Sequence, residues 1–538
     1  MDMRSIDRRK FITIAGTTGT VAIAGCSGTS DNEDTSVDPG EQEHGGHLRV
    51  GVETSPESLN PIQHATAEGY MVTRWLYSNL VNLDTEFNLQ PDLATDWSSN
   101  EEGDLWTFEL RNDATFAHSG EQVTADDVKA TIDTIYDDDE ASPGNGQFGI
   151  ISEVRAINDT TVEIDLESPY ADVPLGMASQ WARILPRDIL EDDSVSLTNE
   201  AYGSGPFVLE EFEQGDRVVV RRNEDYYNTD EAGNQLPFVD EITMRILPES
   251  SARLNAVETN ETDIITNVPS DQFERLVSDS DVNTHSTPSG WTYPIIMRLT
   301  DEPFDDLRVQ HAIKHAMDKE ELLEGAARGL GEIGQHNPIS SVHRFYEDLE
   351  DPFGPGAQID EAQSLLAEAG YENGLELDFP LYSPSERASE IGQTAVVLQD
   401  QMSAAGIEFD IEEVTWDRFL SEIEANESFY VSSYGYRVED ETLRLLLHSE
   451  GSWNGTQWDN DEFDELVNEA REVPDEDMRQ DMYREIQDMT QRDAGMLVPY
   501  STDQLGATAS YVQNYDIDPV GFSMPLETVS LDPDAPGR

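Results

Sequence analysis

The chain is poor in positive charge: of 538 residues only 32 are Lys or Arg, against 111 Asp or Glu, so the formal net charge is −79. A field of that sign repels phosphate backbones and excludes nucleic acid as a partner. Cysteine is nearly absent. Cys26 is the single one, so the chain holds no internal disulfide and its body holds no cysteine nucleophile. Long apolar runs are missing as well. Beyond the first 25 residues no run of about 18 apolar residues occurs, so the body is expected to stay outside the bilayer. Nor is there a GxSxG elbow, an HExxH helix or a P-loop, which removes the best-marked hydrolase and nucleotide-binding chemistries.

What is present argues for a large folded protein. The length exceeds what one hydrophobic core usually serves. Apolar residues make up 37%, and 8 Trp, 18 Tyr and 18 Phe are spread along the chain rather than confined to a few tracts. Only Lys10, Lys129, Lys314 and Lys319 are lysines, a bias similar to that of proteins from salt-loving microbes. At molar salt the Debye length falls to about 3 Å, so surface self-repulsion is screened and carboxylates serve solubility. With this many acids, two neighbouring carboxylates say little about acid–base catalysis.

The N-terminus reads as an address. Residues 7–12, DRRKFI, place Arg8 and Arg9 before a weakly apolar stretch from Ile12 to Ala24. That stretch is too short and too rich in Thr and Gly for a stable membrane span, and suits a cleaved twin-arginine export signal. Ile23, Ala24 and Gly25 before Cys26 resemble a lipoprotein box whose cysteine is acylated. Residues 1–25 are therefore expected to be a signal peptide, and residues 26–45 a flexible acidic linker.

From His47 onward, strand-like and helix-like segments alternate, which predicts an α/β architecture. HLRVGVET (47–54) alternates as a strand, and so do Trp106, Phe108 and Leu110 in LWTFELR. Thr124 and Asp127 form an acidic capping box before a helical face of Val128, Ile132, Ile135 and Tyr136. Val309, Ala312, Ile313, Ala316 and Met317 make a similar stripe. Asp360 is placed to cap the helix bearing Ala362, Leu365, Leu366 and Ala369, with Gly370 after its end. A helix from about Glu390 to Ala405 ends at Gly406, and GIEFDIEEV follows as a strand, so residues 318–415 suggest a wound α/β lobe.

Several segments, in order, resemble the dipeptide and oligopeptide class (family 5) of ABC-transporter extracellular solute-binding proteins. They are SLNP (58–61), LYSNLVNLD (76–84), PDLATDW (91–97), LWTFELRNDATF (105–116) and VTADDVKATI (123–132). The longest is GSGPFVLEEFEQGDRVVVRRNEDYY, Gly203 to Tyr227, in which Gly203 and Gly205 permit tight backbone geometry and Val218 to Val220 form a buried strand. LPFVDEITMRILPE (236–249), PFDDLRVQHAIKHAMDKEEL (303–322) and IDEAQSLLAEAGYENG (359–374) complete a likeness running from about residue 47 to about 517. Gln310 stands where the family has a second arginine, a departure expected to touch surface chemistry only.

The resemblance implies a two-lobed periplasmic-binding-protein-like fold of type II, in the large peptide-binding class, with the ligand cleft between the lobes. Lobe I is expected to comprise residues 46–285 and 506–538, with an extra subdomain at about 62–200. Lobe II is expected at 286–505. Implied partners are a peptide or other small hydrophilic ligand, the permease subunits of an ABC importer, and the membrane through a lipid anchor. The protein is expected to act as a monomer outside the cytoplasm, on the outer face of the cell membrane, without a cofactor.

In this family a Trp-x-x-Asp segment faces the cleft, and its acid pairs with an α-ammonium group. Here SSYGYRVEDETL puts Tyr434 in the Trp position and Arg437 in the Asp position; a one-residue gap instead brings Glu439 or Asp440 there. An arginine fork favours carboxylate, phosphate or sugar hydroxyls over an amine. Trp291, Tyr293, Trp416, Tyr434, Tyr436 and Tyr500 are candidate flat walls, each equally acceptable as core. Asn454 matches a family Asn near the cleft. His311 and His315 have the i, i+4 spacing of a helical metal pair, and the family has a nickel-binding branch. No third ligand is placed by pattern, and no metal is expected.

The leading function is ligand capture for an importer without covalent chemistry. An oligosaccharide- or nickel-binding member of the same family is the nearest alternative. A secreted hydrolase using two carboxylates is the alternative of another class, and a binding protein serving a sensor or acting as a chaperone is a third.

Overall fold

The computed structural model describes residues 44–536, apart from 65, 86, 137–141, 143, 145–149, 193, 522 and 534. The export signal with Arg8 and Arg9, the acylation candidate Cys26, and the linker up to residue 43 lie outside the described residues.

The strand read in HLRVGVET spans His47–Val52 and sits inside an eight-stranded sheet. It pairs in parallel with Glu241–Ile246 on one side, His47 opposite Glu241, and with Ile264–Thr266 on the other. Arg217–Arg222 and Phe207–Glu213 extend the sheet antiparallel beyond Glu241–Ile246. On the other flank come Tyr500–Ala509 and then Val282–Thr292. Val50, Val218, Val220 and Met244 are buried on this sheet, as β-branched and long apolar side chains on a two-sided strand should be.

Gly203 and Gly205 lead into Phe207–Glu213 because the backbone of Leu76 passes against them. A Cβ on Gly203 would lie 1.9 Å from the Leu76 carbonyl oxygen, and one on Gly205 would lie 2.6 Å from its carbonyl carbon. Close approach, rather than a left-handed turn, is what these glycines provide.

A four-stranded antiparallel sheet, Ala94–Ser99, Leu105–Leu110, Thr161–Leu166 and Ile151–Asn158, shares one apolar cluster with the large sheet. Trp106, Phe108 and Leu110 all face that cluster. The helix Ala125–Ile135 packs on it, and the Thr124 amide donates to the Asp127 carboxylate at 2.8 Å, which closes the helix start.

A five-stranded sheet, ordered Ile411–Glu413, Leu381–Ser383, Phe429–Val431, Ile295–Met297 and Met496–Leu497, carries two further apolar clusters. The helix Leu307–Ala316 buries Val309, Ala312, Ile313 and Ala316 against one of them. The sheets and their helices give the two-lobed α/β fold. Among the described residues no helix is long and apolar enough to cross a membrane.

Three local expectations are corrected. Gln310 is buried, not a surface residue, and its Nε2 donates to the Phe304 carbonyl at 2.8 Å. The helix Ile359–Glu368 begins after Gln358, so Asp360 falls in its first turn, where a carboxylate still favours the helix dipole. GIEFDIEEV is two strands, Ile407–Glu408 and Ile411–Glu413, because the first pairs with Leu375–Glu376 and the second with Leu381–Ser383 in a different sheet. The helix before it, Ser389–Ala405, stops at Gly406 with φ +86°, as a glycine cap should.

Candidate functional site

The strand Val282–Thr292 leaves the large sheet with a register irregularity between Pro288 and Trp291. Gly290 takes φ +69° there, and the Ser289 hydroxyl donates to the Thr502 carbonyl at 2.6 Å. Thr292 then exchanges backbone bonds with Tyr434, at 2.9 and 3.0 Å. This crossing brings the Trp291 ring against Gly435, where an added Cβ would lie 3.0 Å from the indole.

Trp291, Ala67 and Val520 line two adjoining chambers. The first, of about 580 Å³, mixes polar and apolar lining and takes Tyr293, Arg387, Glu390, Ser433 and Asp503 from different elements. The second, of about 410 Å³, is walled by Tyr70, Phe87, Trp181 and Tyr436, with Arg74, Arg183 and Arg437 also lining it. Both volumes fall within the range of small-molecule sites.

Tyr436 stacks on Phe87 with ring centroids 4.5 Å apart and leans on His343 at 4.9 Å. His343 bonds the Arg437 carbonyl at 3.0 Å and is kept neutral, its pKa lowered chiefly by burial. The Arg437 guanidinium lies 4.8 Å over the Trp453 ring, and its Nε is 3.4 Å from Glu441. Glu439 and Asp440, the other candidates for that position, are both buried away from the chamber lining. Glu439 accepts from the Phe345 amide at 3.0 Å, and Asp440 faces Arg471 at 3.7 Å. Asp518 lines the aromatic chamber with its pKa raised to about 6 by burial, although the Val520 and Gly521 amides favour its charged form.

The structure thus brings Trp291, Tyr436 and Arg437 together, with Tyr293 in the adjoining chamber. The other sequence candidates sit elsewhere. Tyr434 is buried, stacked parallel to Trp453 at 6.4 Å, and its hydroxyl donates to Glu424 at 3.3 Å. Tyr500 is buried and bonds Thr394 at 2.6 Å. Asn454 closes a loop, donating to the carbonyls of His448 and Trp458 and accepting from Thr456. Trp416 stacks on Phe419 and touches Arg387 of the first chamber, whose guanidinium lies 5.5 Å from its ring and 5.8 Å from that of Trp291. His311 and His315 pack edge-on against Phe353, at 5.1 and 5.0 Å. Among the described residues no group of three or more His, Cys, Asp or Glu is placed to hold a metal ion.

Sequence reasoning missed Phe87, Trp181, Arg183, Arg387 and Glu390. For the two arginines the available signal was the rarity of cations in so acidic a chain.

Cations, carboxylates and flat aromatic faces thus surround a divided cleft of the size of a small-molecule site. Residues 88–463 match the family of bacterial extracellular solute-binding proteins, family 5, in its middle region. The chain belongs to that family. As a family 5 solute-binding protein of an ABC importer it has relatives along nearly its whole length. The dipeptide-binding protein of Escherichia coli K12 is 24% identical over 517 residues, covering 89% of this chain and 94% of the relative. The structure of the DppA periplasmic binding protein from Helicobacter pylori, in complex with the peptide STSA, is 22% identical. It covers 91% of this chain and 99% of the other, with a TM-score of 0.71. HbpA2 from Haemophilus parasuis, 20% identical, reaches a TM-score of 0.80 over 90% of this family 5 chain and 100% of its own.

Proposed function

We propose that this family 5 protein captures short peptides in the divided cleft and hands them to a membrane permease, with no covalent chemistry of its own. The observation that carries the reading is the pairing of Arg387 and Glu390 in one chamber with Arg437 and Glu441 in the other, around Trp291. A zwitterionic ligand finds both charge signs there and a flat wall between them. The peptide ligands named for the E. coli and H. pylori relatives support it.

In this reading Trp291, Tyr293, Tyr436 and Arg437 touch the ligand, while Tyr434, Trp416, Asn454 and Tyr500 shape the walls behind them. Lobe I takes residues 46–285 and 506–538, with a subdomain at about 62–200, and lobe II takes 286–505; the separate apolar clusters of the large and five-stranded sheets support that division. The protein is exported by the twin-arginine route through Arg8 and Arg9, anchored by acylated Cys26 to the outer face of the cell membrane, adapted to high salt, and works as a monomer.

A thermal-shift screen in molar salt with peptides, oligosaccharides and divalent metals tests the ligand. A ligand at about 100 times its dissociation constant adds roughly 2.7 kcal/mol of stability. Peptides are expected to shift the transition. A shift with sugars alone, or hydrolysis of a bound peptide, would overturn the proposal.

A further inference from the structure

Arg183 is 4% exposed and lines the aromatic chamber, yet it has no carboxylate within ion-pair distance among the described residues. Its one side-chain bond runs to the Asn79 amide oxygen at 2.9 Å, and its Nε has no partner. The nearby acids bond other groups, although the Oε2 of Glu527 has no hydrogen-bond partner among the described residues. Asp92 accepts from the Asn79 amide at 3.0 Å and from the Tyr227 hydroxyl at 2.5 Å, and Glu527 pairs with Arg74 at 3.1 Å.

This is an unusual place for a cation that no carboxylate bonds directly. Asp92 and Glu527 lie near enough to favour its charge, yet a buried guanidinium bonded to no carboxylate is still costly. The cost registers in its pKa, lowered to about 9 by burial first and by the charge of Arg74 second, with Asp92 and Glu527 opposing the shift. His64, buried alongside, is pushed down to about 3, again by burial and then by Arg183, so it stays neutral and adds no competing charge. Ser179, on the same chamber wall, has a buried hydroxyl without a partner.

We propose that Arg183 is an anion subsite, so that the peptide taken up carries a carboxylate into the aromatic chamber. The inference rests on the peptide reading above and narrows it to peptides with a free carboxylate at that end. The carboxylate is either the C-terminus or an acidic side chain. In either case the guanidinium gains the charge-assisted bonds it lacks, and Tyr436, Phe87 and Trp181 flank the adjacent part of the ligand. Being buried, the contact is screened little by salt.

The test is calorimetry on the full mature chain with matched tripeptides: free acid, C-terminal amide, and glutamate or glutamine in the side chain, with glutarate as a carboxylate that is not a peptide. One carboxylate form is expected to bind roughly 10- to 100-fold tighter than its neutral counterpart, and which pair differs identifies the source. In Arg183→Met that ratio is expected to fall to about one, while a cooperative melt of the unliganded variant shows that it still folds. Equal binding of acid and neutral forms by the unaltered protein overturns the subsite without any variant, and so does an Arg183→Met protein that keeps the preference. Binding of glutarate but of no peptide would sink the peptide reading and leave the subsite standing. Peptides binding regardless of charge would do the reverse, and silence from every carboxylate removes the subsite.

Discussion

Asp172 and Arg479, 307 positions apart in the chain, meet in a two-pronged ion pair with Nη1 at 2.7 Å from Oδ1, and both residues are almost wholly buried. Arg479 comes from the helix Glu476–Asp493 and lies 4.6 Å over the Phe345 ring. Asp172 precedes the short helix Val173–Met177, beside Ala171, whose amide bonds the Arg471 carbonyl at 2.9 Å. Cutting one partner leaves a buried charge alone, so Asp172→Ala is expected to cost about 3–5 kcal/mol in denaturant unfolding. The double variant Asp172→Ala with Arg479→Met should recover much of that loss. If the double variant is as weak as the single, the pair is not what holds these segments together.

Asp518 gives a pH signature with a defined sign. Its carboxyl is pushed up to about 6 in the folded chain, from an ordinary 3.8, because burial disfavours the charge. The folded state therefore holds the proton more firmly between those values. Its stabilising contribution is present below about pH 4, is lost as the pH rises through 6, and is on the order of 3 kcal/mol when complete. Asp518→Asn should match the parent at low pH and exceed it at pH 7. Parallel stability curves for the two proteins across pH 4–7 would rule this out.

Neighbouring tyrosines should separate binding from folding. Tyr436→Ala removes a chamber wall and is expected to weaken ligand binding at least tenfold, with a smaller effect on the unliganded protein. Tyr434→Ala instead empties a packed interior position and should cost about 3–5 kcal/mol of stability. Swapped outcomes, measured by calorimetry and thermal melts, would move the cleft.

Cys26→Ser should release the mature protein from the membrane fraction, because one acylated residue is the proposed anchor. A variant that still sediments with membranes would show that something else holds it.

The secondary structure was legible where local chemistry decides it. Thr124 with Asp127 marks the start of the helix Ala125–Ile135, and Gly406 marks the end of Ser389–Ala405. GIEFDIEEV was misjudged because its partner strands belong to different sheets, which is long-range information. The cleft was legible in part. Trp291, Tyr436 and Arg437 line the chambers, but Tyr500 rests on residue type alone and Tyr434 and Asn454 on family positions, and an aromatic or amide serves a core as well as a wall. Arg183 and Arg387 carry no spacing signal that separates them from an exposed cation such as Arg308; only the folded chain shows which lines a cavity.

Trp291 forms a wall of both chambers while its strand remains stitched to Tyr500–Ala509 in the large sheet. A group that presses on the indole from one side alters the space offered on the other. The two ends of a ligand are therefore not weighed independently: the affinity of a whole ligand will differ from what its separate halves suggest, and fragments tested singly will misjudge it.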